Sequence, residues 1–458
     1  MSDGHALAQR QGPVDLFEGW EKLSWQERRE RRFARWLAPP DVEFADESTR
    51  AAYRERVQMA IDAICLRKPT RVPVAPSTGG FAGRYSGLTA KEMMYDHHKM
   101  AGAIIKYHED FRPDFQGGLA MSGAVFDLLD ARYVRWPGHG IGDDAQWQYV
   151  EDEYMRAEEY DALIADPEAY FRRTLLPRHA SAFGPLANLD PFSDYLEAFG
   201  LQMNILAFAD PEVIDGLRRL AEAAEASLAQ LEIVGAAYED ATSRLGIPEL
   251  DAGFAVAPYD ILADTLRGTR GIVSDLYRQH AKVVEAAERL VPLQVEMAVR
   301  QMADAACPVV FMPLHKGADG FMSDDDFRTV YWPPLKAVMK GMIDEGLVPN
   351  PFAEGGFNSR LAVIADDELP AGSCLWMFDQ TDMAVAKEVL GGYSCIMGNV
   401  PSDLLAVGTA EQVEGYVRRL LDAVAPDGGF ILSSGAIIDD AKAETLRAMI
   451  ETGRDWRG

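Results

Sequence analysis

The sequence predicts an α/β fold, a (β/α)8 TIM-type barrel that carries an N-terminal helical extension. Three observations predict it. Short apolar runs recur through the last third of the 458-residue chain, helix-like stretches separate them, and five of the runs stop at or near a polar residue. Buried parallel strands read as continuous apolar runs, and their alternation with helices implies a parallel sheet. In a barrel, polar residues at the carboxyl ends of strands form the pocket.

Residues 1–50 read as the helical extension: a polar start, then a charged helix over 24–37 (SWQERRERRFARWL) with Trp25, Phe33 and Trp36 for packing. The first residues lack the apolar core of a signal peptide. Residues 51–458 read as the barrel, with an inserted segment around 130–250. An amphipathic helix is expected over 52–64 and a first strand over 71–75 (RVPVA), ending near Ser77-Thr78-Gly79-Gly80. A helix over 88–107 starts with the capping-box spacing of Thr89 and Glu92. Residues 133–149, with Trp136-Pro137-Gly138-His139-Gly140, read as turns and not as regular structure.

Helices are expected over 154–176 and 211–237, a break over 237–250, and a strand over 253–258 (GFAVAP) followed by a long helical stretch to 291. The five runs then come in order. Residues 308–314 (PVVFMPL) stop at His315, 347–353 (LVPNPFA) at Glu354, and 374–378 (CLWMF) at Asp379. Residues 394–397 (SCIM) stop just before Asn399, and 430–432 (FIL) at Ser433. Helical stretches at 326–345, 383–390, 411–425 and 441–452 fill the gaps.

Lys+Arg number 45 against 72 Asp+Glu, a net charge of −27. That balance argues against nucleic acid or an anionic membrane as partner. No run approaches the ~18 apolar residues of a membrane span, so a cytoplasmic protein is expected. The four cysteines (Cys65, Cys307, Cys374, Cys395) contain no CxxC pair and are too sparse for a disulfide framework.

The strand ends supply the candidate site. His315 can serve as a base, a metal ligand or a hydrogen-bond donor. Glu354 precedes two glycines that let a ligand approach the backbone, and is a candidate acid/base. Asp379 belongs to the pocket, whereas Thr381 or Asp382 caps the next helix. Lys316 offers a cation to an anionic substrate or a partner to Asp379. Asn399 has a turn role and a pocket role, Ser433 offers a hydroxyl, and Trp376 suits an apolar or aromatic substrate, though core packing is the commoner use of such a residue.

From about residue 250 to 454 the chain resembles the uroporphyrinogen decarboxylase superfamily. The carrying segments are PYDILADTLRGTRGIVSDLYRQHAKVVEAAERLVP (258–292), residues 311–357, residues 376–413 and GGFILSSGAIIDDAKAETLRAMIE (428–451), in the family's order. The more specific signature is GNVP (398–401) followed by the helix start GTAEQV (408–413). The resemblance implies a distorted (β/α)8 barrel, commonly homodimeric, with its pocket at the strand carboxyl ends.

Two chemistries are implied. The decarboxylases act on a tetrapyrrole without a cofactor and grip its carboxylates with N-terminal arginines; Arg84-Tyr85 in GGFAGRYSGL resembles that loop but offers one arginine. The cobalamin- and coenzyme-M-linked methyltransferases activate a thiol on zinc held by His-x-Cys and a later Cys. Here the first site reads His315-Lys316-Gly317 and the second Leu432-Ser433-Ser434-Gly435, without cysteine. Any divalent metal would therefore fall to harder ligands such as His315 with Glu354 or Asp379. The first expectation is methyl transfer from a small methylated, apolar or aromatic substrate to a corrinoid or folate acceptor, with no tightly bound cofactor. The second is a cofactor-free carboxy-lyase using Arg84 and Lys316; the third is a non-catalytic binding partner of a corrinoid protein. A homodimer is expected in each case.

Overall fold

The apolar runs become strands. The computed structural model describes residues 19–118 and 120–458. A small sheet comes first, with β1 (Val134–Pro137) parallel to β2 (Gly140–Ile141) and antiparallel to β3 (Gln148–Tyr149). The main sheet follows: β4 (Gly253–Phe254), β5 (Val309–Leu314), β6 (Val348–Ala353), β7 (Leu375–Phe378), β8 (Cys395–Val400) and β9 (Phe430–Ser434). All six are parallel and lie side by side in chain order. Every residue of β6 to β9 is buried, as expected of strands covered on both faces.

Alternation along the strands sorts them into two cores. Val309, Val348, Leu375, Met377, Cys395, Met397 and Ile431 pack on one face, while Val310, Met312, Trp376, Phe378, Ile396 and Leu432 pack on the other against the surrounding helices. The first group continues into Phe33, Trp36, Tyr53 and Val57 of the helices Trp25–Leu37 and Glu47–Ile64. Those helices close the amino end of the sheet. Arg32 donates there to the carbonyls of Met302 (3.1 Å) and Glu345 (2.9 Å), and Trp36 is fully buried.

The strands alone form an open sheet. Two irregular segments, 73–78 and 114–118, lie along its β9 edge, and regular strand pairing does not close the barrel. On the β9 side, Ala75 N donates to Leu432 O (2.8 Å) and Leu432 N to Pro73 O (2.9 Å). Asp114 N reaches Val74 O (3.0 Å) and Gly118 N reaches Thr78 O (2.9 Å). Toward β4, Gln116 N donates to Pro248 O (2.9 Å) and Gln116 Nε2 to Ile247 O (3.1 Å), in the chain that leads into that strand.

Several elements differ from the sequence expectation. Residues 71–75 contribute one isolated bridge, Val74 with Leu432, and no regular strand. The helix expected over 88–107 is two, Ala90–Tyr95 and His97–Phe111, because Asp96 ends the first and caps the second through Lys99 N. The turns expected over 133–149 contain the small sheet. The helix at 211 runs on to Leu245 and stops at Gly246, whose φ of +64° suits glycine. No described helix is long and apolar enough to cross a membrane. The first 18 residues, including those read for a signal peptide, lie outside the described residues.

Candidate active site

His315 follows the last residue of β5, and the chain after β4 folds back to hold it. That chain enters a helix at Pro258–Asp260, which widens into a π-helical stretch, Ile261–Leu266. Such π segments are frequent at functional sites. Asp260 is fully buried and uses both oxygens: Oδ2 accepts from His315 N (2.9 Å) and Tyr331 OH (2.8 Å), Oδ1 from Lys316 N (3.0 Å). Burial first, and then the Asp264 charge, pushes its pKa up to about 6.

Asp264 reaches the side chains of the same two residues. Its Oδ2 lies 2.7 Å from His315 Nδ1, and its Oδ1 lies 3.2 Å from Lys316 Nζ. An ionised carboxylate can only accept, so Nδ1 carries a hydrogen. The other ring nitrogen, Nε2, faces Glu354 Oε2 at 3.4 Å. Burial alone would lower the His315 pKa; the Asp264 hydrogen bond and the charges of Asp260, Asp264 and Glu354 outweigh it and raise it to about 9. The imidazole is therefore cationic at neutral pH, with its Nε2–H at the open end of the strands.

Lys316 is not a free cation: Nζ also donates to Thr269 Oγ1 (3.0 Å). Its expected partner Asp379 is engaged by Gly355 N (3.1 Å), which joins the ends of β6 and β7, and burial raises the Asp379 pKa. Glu354, at the end of β6, is exposed except for its contact with His315. The small sheet overhangs this group. Tyr149 of β3 is exposed, and just beyond it Glu151 Oε1 accepts from Thr269 N (2.6 Å).

The other expected site residues lie elsewhere. Asn399 donates to the carbonyls of Asp379 (2.9 Å) and Thr381 (2.8 Å) and receives Tyr416 OH, so its amide ties the β7–β8 turn. Trp376 faces the helices, buried between Trp332 and Phe378 with ring centroids 6.3 and 6.0 Å away. Ser433 is buried near the end of β9, with no hydrogen-bond partner for its hydroxyl. Arg84 pairs with Asp144 in the loop before β3 (3.1 Å).

The residues do not fit a thiol-activating zinc. Cys307, Cys374 and Cys395 lie at the amino ends of β5, β7 and β8, the far end of the sheet from His315, and burial raises all three thiols. Among the described residues no three His, Cys, Asp or Glu side chains are arranged to hold a metal ion. Sequence reasoning missed Asp260 and Asp264. Their signal was an i,i+4 acid pair on one helical face directly after a strand, a spacing that puts both side chains on the same side.

Comparison with known proteins bears on the family and the fold. The profile of a family described as uroporphyrinogen decarboxylase matches residues 152–456. No curated protein matches the chain. Among solved structures, a methyltransferase from Methanosarcina mazei superposes with a TM-score of 0.57 at 14% identity, covering 88% of this chain and 98% of its own. A B12-independent methionine synthase from Shewanella sp. W3-18-1, in complex with selenomethionine, gives a TM-score of 0.33 at 12% identity over 44% of this chain and 60% of its own.

Proposed function

This chain belongs to the uroporphyrinogen decarboxylase family, and on that premise we propose that it is a methyltransferase. It takes a methyl group from a small methylated donor, apolar or aromatic, and passes it to a corrinoid or folate carrier. The observation that carries this reading is the Asp264–His315–Glu354 array. A methyl donor needs a proton on its leaving heteroatom, and a cationic imidazole fixed by one carboxylate is a suitable general acid.

Asp264 holds the ring through Nδ1, and Nε2–H lies toward Glu354, where the substrate's leaving atom is proposed to bind. As the carbon–heteroatom bond breaks, its electron pair stays on the heteroatom, the methyl group goes to the carrier's nucleophile, and the Nε2 proton reaches the leaving atom. Glu354 then accepts a hydrogen bond from the donor or relays the replacement proton. Asp379, at the end of β7, orients the substrate. The carrier supplies the nucleophile, and no resident metal enters the scheme.

A second reading, a cofactor-free carboxy-lyase, is favoured by His315 and Lys316 standing side by side as two cations. Against it, Lys316 is already held by Asp264 and Thr269, and Arg84 by Asp144, which leaves little to grip several carboxylates. The test incubates the protein with a reduced corrinoid protein and a panel of methoxyaromatics, followed by the cobalamin spectrum. Methylation is expected, slowed at least about 100-fold by His315→Ala. Release of CO2 from uroporphyrinogen or an aromatic acid, without corrinoid methylation, overturns the reading.

A further inference from the structure

The helix Pro211–Leu245 has two apolar faces, and one of them is bare. Val213, Gly216, Ala223, Val234, Ala237 and Ala241 are buried against the body of the protein. A second row, Ile214, Leu217, Ala221, Ala224, Leu228 and Leu231, faces solvent; Leu231 is 65% accessible and Ile214, Leu217 and Leu228 are 43%, 39% and 40%. These positions alternate by three and four residues, the 3.5-residue period of a coiled-coil seam. A solvent-facing surface has no need of that period; a second helix does.

The order of side chains says which helix. Large, large, small, small, large, large is palindromic about the midpoint of Ala221 and Ala224. We infer that two copies of this chain associate through this helix, antiparallel, with Ile214 against Leu231 of the partner subunit, Leu217 against Leu228 of the partner subunit, and Ala221 against Ala224 of the partner subunit. The two small layers let the backbones approach closely at the centre.

Charge agrees with this pairing. On the open flank, Arg218 of one copy comes beside Glu225 of the partner subunit, and the symmetry repeats the pair. In the single chain Arg218 has only a 3.8 Å contact to Asp215 of its own turn, with both side chains exposed. The segment 192–206, just before the helix, adds exposed Phe192, Leu196, Phe199, Met203, Ile205 and Leu206. At ~200 Å² per fully exposed large side chain the four large seam residues offer roughly 370 Å² of apolar area and the segment before the helix roughly 800 Å².

Residues 180–217 carry Asp190, Asp194, Glu197, Asp210, Glu212 and Asp215 and no Lys or Arg, which disfavours an anionic membrane. Antiparallel pairing holds these acidic segments at opposite ends of the seam; parallel pairing would set them against each other.

The test is sedimentation velocity of the full-length protein over a concentration series. A dimer is expected. Leu228→Glu with Leu231→Glu should give a monomer whose circular dichroism is unchanged. Arg218→Glu should weaken association at least about tenfold, and adding Glu225→Arg in the same chain should restore it to within ~3-fold. Mixing Ala221→Cys and Ala224→Cys proteins should cross-link better than either alone. A monomer at every concentration, a dimer insensitive to these changes, or a monomer that binds an added corrinoid protein through the seam would each overturn the inference.

Discussion

At His315 opposed influences meet, since burial favours the neutral ring and three carboxylates favour the cation. The carboxylates prevail, and the folded-state pKa of about 9 lies above the ordinary 6.5. The sign follows: the stability this group contributes is fully present below pH 6.5 and is lost as pH rises through about 9. Activity that needs the cation should fall over the same upper limb. Replacing Asp264 with Asn removes the first-ranked favourable influence, so the limb should move to lower pH by about one unit or more while the fold survives; kcat against pH measures it. An unmoved limb would mean that another group sets it. His315 was legible because an apolar run stopped on it. Asp264 was not, because an acid inside a helical pattern reads as a solvated face until the backbone's π turn aims it at the strand end. Asn399 and Trp376 show the converse: residue type and position near a strand end do not say which way the side chain points, and here one ties a turn and the other packs outward.

Between elements, the loop after β5 is held by the loop after β6. Arg360, fully buried in the turn Asn358–Arg360, donates Nε to Gly317 O (3.0 Å) and Nη2 to Met322 O (2.6 Å), pairs with Asp324, and lies 4.8 Å over the Phe327 ring. This clamp sets the loop carrying His315 and Lys316 against the strand carrying Glu354. Arg360→Met should cost about 2–4 kcal/mol, because buried carbonyls lose a charged donor. Arg360→Lys should recover little of it, since an ammonium cannot span the same fork of acceptors. Urea unfolding measures both, and a change under ~0.5 kcal/mol for Arg360→Met would remove the clamp from the account. The strand order and nearly all the strand positions from β5 onward were readable from apolar runs. The irregular segments were not, because their pairing rests on main-chain atoms far apart in sequence, which periodicity does not record.

For the whole molecule, the sheet and its two irregular segments are stitched unevenly. Strands β5 and β6 pair at six positions and β8 and β9 at five, whereas Gln116 meets Pro248 through one main-chain bond. The side chain of Gln116 doubles that joint, with Nε2 also reaching Tyr238 O (3.0 Å) and Thr242 Oγ1 (2.7 Å). The irregular segments hang on few main-chain bonds, and local opening is expected to start there. In deuterium exchange the amides of Ala75, Gln116 and Gly118 should label well before those of β5 to β9, and Gln116→Ala should widen the gap by speeding only the first group. Equal labelling of these amides and those of β5 to β9 would show that the irregular segments are no looser than the sheet. Regular pairing thus ends at β4 and β9, and the order in which amides exchange across that gap reads out how firmly the two irregular segments fill it.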